Sequence, residues 1–100
     1  MSHEAEYRVD FSSKAGNLVY KDSIGVLHFI FEVDSSVKPT VIFLERVPLT
    51  RDFKMIELSA LPQAEQSRIK LAGERVEQFL ISTGAQVRDL PTLSDLRESF

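Results

Sequence analysis

His28 stands inside the most apolar stretch of this 100-residue chain, GVLHFIFEVDSSVKPTVIFLERV (residues 25–47), and Glu45 stands near its end. If the stretch folds as a hairpin around residues 35–38, the imidazole and the carboxylate fall opposite each other. A carboxylate beside an imidazole favours the charged ring and can orient it as an acid or base. A general base also needs a nucleophile or a substrate position, and the spacing places no serine or threonine there. The competing reading is a half-buried histidine bonded to Glu45, contributing less than about 1 kcal/mol to the hairpin. That reading carries more weight, because structural pairs perturb titration as readily as catalytic ones do.

Arg68 and Arg75 are seven residues apart, which brings them close along one edge of a helix. They are candidates to hold a carboxylate or phosphate. Against this, arginine stems commonly cover apolar surface while the heads reach water or an acidic neighbour. Arg46, Arg51 and Lys54 gather around a turn that also carries Glu45 and Asp52, which reads as a solvated loop.

The remaining chemistry is sparse. His3 is the only other histidine, so no two-histidine metal spacing exists, and no metal or cofactor is expected. Without cysteine there is no thiolate site, disulfide or cysteine nucleophile. Four dispersed glycines make neither a phosphate loop nor a dinucleotide fingerprint, and no nucleophile elbow is present. No catalytic residue is assigned, and the balance is against an enzyme.

The elements that would position these residues follow from hydrophobic period. Residues 4–11, EAEYRVDF, alternate strictly, with Ala5, Tyr7, Val9 and Phe11 on one side and charges on the other. That is a strand with one face in water. LVYK (18–21) reads as a second strand, and residues 26–33 and 40–47 as a third and fourth. FKMIEL (53–58) reads as a weaker fifth. Residues 62–83 have helical composition, with Leu61, Ile69, Ala72, Val76, Phe79 and Leu80 on one stripe and Gly84 placed to end the helix. AQVRDL is a possible short strand, and SDLRESF a last helical turn or tail.

The class expected is α+β: an antiparallel meander of four to five strands, then one long amphipathic helix on one sheet face, forming a single domain over residues 1–100. A net charge of −3 removes the basic field on which nucleic-acid binding depends. No apolar run approaches the ~20 residues of a membrane helix, and the N-terminus lacks a secretory h-region. A cytoplasmic protein is expected.

Registering the hairpin on a four-residue loop pairs Phe31 with Ile42 and Phe29 with Leu44, a core face that also holds Leu27 and Val33. The other face pairs Ile30 with Phe43, Val26 with Val47, His28 with Glu45, and Glu32 with Val41. One helix covers only one side of a sheet, and an uncovered antiparallel face is normally polar. Val26, Ile30, Val41, Phe43 and Val47 therefore need a cover: closure of the sheet, the C-terminal segment with Val87, Leu90, Leu93, Leu96 and Phe100, or another molecule. The expected function is a non-enzymatic interaction domain, forming a homodimer or binding a protein partner through this face or a sheet edge. The alternative is a small-molecule or catalytic pocket between sheet and helix that uses His28 and Glu45.

Overall fold

The β2–β3 turn shows how local chemistry starts this fold. Asp22 Oδ1 accepts the backbone N–H groups of Ile24 (2.9 Å) and Gly25 (3.0 Å), while the Asp22 N–H donates to the Gly25 carbonyl. A short carboxylate thus satisfies the turn's backbone. A computed structural model describes residues 6–11 and 16–90 of the chain. Within them run β1 (Tyr7–Asp10), β2 (Asn17–Asp22), β3 (Val26–Asp34), β4 (Val41–Leu44), a 3₁₀ turn (Leu58–Ala60), the helix α1 (Gln63–Ser82) and β5 (Gln86–Asp89).

The five strands form one sheet in sequence order, β1-β2-β3-β4-β5. The first four make the expected antiparallel meander, and the class is α+β. β5 pairs parallel to β4, with Val41 beside Gln86 and Leu44 beside Asp89. A parallel neighbour requires a crossover, which α1 supplies. β1 and β5 form the two edges, so the described sheet is not closed on itself.

Pro62 precedes α1 and its carbonyl accepts the Glu65 and Gln66 N–H groups, where the missing proline N–H costs nothing. Gly84 ends the helix at φ +97°, a conformation that glycine adopts freely. Between those signals the expected stripe is the packed one. Ile69, Ala72, Val76 and Leu80 are buried with Leu18, Tyr20, Leu27, Phe29, Phe31, Ile42 and Leu44, and Leu61 and Phe79 pack at the margin. Val9, Phe11 and Val87 join the same margin from β1 and β5.

Residues 53–58 do not form the expected fifth strand. Met55 makes only an isolated bridge to Leu49, and Leu58 begins the 3₁₀ turn. The cause is a tight turn upstream. Thr50 N–H donates to the Lys54 carbonyl, Thr50 Oγ1 accepts the Lys54 N–H, and Phe53 is held at φ +62°. Of the expected C-terminal cover, Val87 faces the helix side and Leu90 closes the β5 ladder on the Leu44 carbonyl. Leu93, Leu96, Phe100 and the SDLRESF segment lie outside the described residues.

Candidate functional site

The outer face of the sheet, opposite α1, is built from the side chains that alternate with the core. Because β3 pairs residue for residue with both neighbours, its outward positions Val26, His28 and Ile30 lie beside Lys21, Val19 and Asn17 of β2. On the other side Glu32 pairs with Phe43 and Asp34 with Val41. The hairpin register therefore differs by two residues from the one expected: Val33 faces Ile42 and Phe31 faces Leu44. The strands pair out to Asp34 and Val41, so six residues rather than four form the loop. Asp34 anchors its start by accepting from Ser36, N–H and hydroxyl both.

A two-residue slip keeps every side chain on its own face and changes every neighbour. Val26, Ile30, Val41 and Phe43 all lie on the outer face, but apart: their cross-strand neighbours are Lys21, Asn17, Asp34 and Glu32, and Val41 is buried. His28 and Glu45 are not brought together. Glu45 lies beside Ile30, its N–H donating to the Ile30 carbonyl (2.9 Å), and its carboxylate accepts the Val47 N–H (3.1 Å). Pro48 cannot donate to a ladder, so residues 46–48 loop out of the pairing and Leu49 takes the place opposite His28. Val47 is carried away from the outer face and lines a cleft with Leu58, Gln66 and Ile69.

His28 is 8% exposed, the one buried polar side chain among the described residues. Asn17 Nδ2 lies 3.3 Å from Nδ1, and the Arg51 carbonyl lies 3.2 Å from Nε2. The tautomer with hydrogen on Nε2 satisfies both contacts, accepting from Asn17 and donating to Arg51. Phe53 stacks on the ring with centroids 3.9 Å apart and planes 19° from parallel. Both nitrogens are occupied and one ring face is covered, so this imidazole acts as a fastener that holds the 49–55 turn against β3. Phe53 is itself 57% exposed, and its positive φ is unusual for a bulky side chain.

The two arginines are also engaged. Arg68 reaches across from α1 to Asp22, Nε donating to Oδ2 at 3.0 Å and Nη2 to Oδ1 at 2.9 Å. Burial works to raise the Asp22 carboxyl. The Arg68 hydrogen bond and the Gly25 and Ile24 N–H groups outweigh it and hold the group well below the usual carboxylate range. Arg75 donates to the Tyr20 hydroxyl (2.8 Å) and lays its guanidinium 4.5 Å over the Tyr7 ring. Burial pushes the Tyr20 hydroxyl up, more than the Arg75 hydrogen bond lowers it. These are links between helix and sheet rather than an anion cradle. A pair of partners 46 residues apart carries no local sequence signal, so their roles appear only in three dimensions.

A cleft of about 450 Å³ opens where the β2–β3 turn, the Thr50–Ile56 stretch and the start of α1 meet, lined by Gly25, Val26, Leu27, Arg51, Leu61 and Arg68 among others. Neither His28 nor Glu45 lines it. Among the described residues no group of three or more His, Asp or Glu is gathered as a metal site, and no helix is long and apolar enough to cross a membrane. No protein-family model, curated protein or solved structure matches the chain significantly.

Proposed function

We propose that this chain is an interaction domain without catalytic activity, which associates with itself or with a protein partner through the outer face and edges of its sheet. The observation that carries the reading is the outer face. It sets Val19, Val26, Ile30 and Phe43 half-buried on the side away from α1, where among the described residues the turn bearing Phe53 covers only the His28 end. Each apolar side chain there has a polar or charged cross-strand neighbour, such as Glu32 and Arg88 on either side of Phe43. Apolar side chains interspersed with polar and charged ones in this way suit recognition of another protein.

Sedimentation velocity from micromolar to high micromolar concentration tests this, alongside hydrogen exchange of the outer strands. A dimer, or a complex with a captured partner that protects β3 and β4, is the expected result. A strict monomer whose outer-face substitutions alter stability as much as core ones would overturn it, since the face would then be covered from within. The small-molecule alternative retains the 450 Å³ cleft, but with Thr50, Arg51, Glu65 and Arg68 as its polar lining in place of His28 and Glu45.

A further inference from the structure

The β1 edge, unpaired among the described residues, has a definite polarity, which follows from hydrogen bonds elsewhere in the sheet. The Phe31 N–H donates to the Gly16 carbonyl and the Asp22 N–H to the Gly25 carbonyl, so the even-numbered residues of β2 turn their backbone groups toward β3. Val19 and Lys21 must then turn theirs toward β1, where their partners are Asp10 and Arg8. In an antiparallel ladder these groups alternate. Tyr7 and Val9 consequently point their N–H and C=O groups away from the sheet, and no described residue pairs with them.

That edge is already ordered. Tyr7 stacks on Tyr20 (5.9 Å) beneath the Arg75 guanidinium, and Phe11 packs on Phe31 and Phe79. On the outer face Arg8 has Lys21 as its cross-strand neighbour, a like charge, and its only carboxylate contact among the described residues is Asp10 on its own strand (3.0 Å).

We infer that β1 pairs antiparallel with β1 of a second copy of this chain, about a twofold axis at Val9, to make one continuous ten-stranded sheet. The inference rests on the proposed self-association and names the surface that performs it. Only registers that match outward-pointing groups are available, so odd residues must pair with odd. Centring on Arg8 sets arginine against arginine, and centring on Asp10 sets aspartate against aspartate. Centring on Tyr7 sets Arg8 against Glu6 of the second copy, also opposite charges, but brings no cation opposite Asp10. Centring on Val9 exchanges both Val9 hydrogen bonds, lays Tyr7 against Phe11 of the second copy, and sets Arg8 against its Asp10 twice. Each arginine then lies between two carboxylates, which offsets the Lys21 neighbour. Charge complementarity selects this register.

Arg8 and Asp10 are exposed, so their substitution leaves the core intact. R8D and D10R should each convert two attractive cross-copy pairs into repulsive ones and weaken the dimer by about tenfold or more. Mixed together, the two variants regain complementarity and should form a heterodimer, detected by sedimentation of a mixture with one species fluorescently labelled. The R8D/D10R double variant should dimerise as the original chain does. Variants that dimerise unchanged would place the contact elsewhere, overturning the edge pairing while leaving self-association standing. An original chain that stays monomeric at high micromolar concentration would overturn both the edge pairing and self-association.

Discussion

The two faces of the sheet are made by the same strands yet differ in how completely they are resolved. Beneath the middle of α1 the large side chains are sealed: Leu18, Phe29, Leu44, Val76 and Leu80 have no exposed surface, while Val33 and Tyr7 at the limits of the same face are exposed. On the opposite face Val19, Val26, Ile30 and Phe43 remain half-buried, and among the described residues only the His28 end is capped, by one turn and one aromatic ring. Packing stability is concentrated on the helix side of the sheet. The inner face consumes long side chains for packing and two arginines for fastening. The outer face leaves part of its apolar area wet, and that area is what the proposed association would cover.

Phe29→Ala should be the most damaging change. Truncating a fully buried phenylalanine beneath the helix costs on the order of 3–5 kcal/mol, read as a drop in the urea midpoint. If Ile30→Ala, one residue along on the outer face, cost as much, the contrast between the faces would fail. Asp22→Asn should come next, at about 3 kcal/mol, because it removes the bidentate carboxylate from a mostly buried Arg68 guanidinium and leaves it only Glu65 at 4.0 Å.

The same pair gives acid sensitivity. Asp22 is depressed in the folded state, so its contribution is complete above the unfolded aspartate value near ~4 and is lost as pH falls below it. Denaturant midpoints measured from neutral to acid pH should show a decline below that value in the original chain and a shallower one in Asp22→Asn. His28→Ala should cost about 1–2 kcal/mol by leaving the Asn17 amide and the Arg51 carbonyl to find water. Its distinguishing readout is a rise in exchange or proteolysis confined to the 49–55 turn. Ile30→Thr should be the mildest, within about 0.5 kcal/mol in stability, since Ile30 is partly wet and threonine keeps the branched shape a strand prefers. Loss of association with stability unchanged would sharpen the contrast most.

The division into faces was legible in the residues 26–33 and 40–47 because a period of two assigns each side chain to a side whatever its partner. The same property hid the neighbours. A slip of two leaves Phe31 and Leu44 in the core but moves Glu45 from His28 to Ile30. The helix was legible from its stripe and from Gly84. Residues 53–58 misled, since FKMIEL has the composition of a strand while the Thr50–Lys54 turn turns the backbone at Phe53, and Ile56 and Leu58 then pack at the core margin without a ladder. Nothing in the local pattern announces the Asp22–Arg68 bond or the fastening of Tyr7 by Arg75, because each depends on the helix docking across the strands.

The parallel placement of β5 has a consequence for how the chain is born. β1 to β4 are joined by short connections and leave the ribosome first, but the side chains that seal their inner face come from residues 69–80, and the strand that covers the β4 edge follows at 86–89. During synthesis the Phe29 and Leu44 surface therefore waits, unroofed, for a segment some two dozen residues downstream of Leu44, and a bare β4 edge waits longer still. Nascent chains stalled before α1 should be the species that chaperones hold and that aggregation claims first.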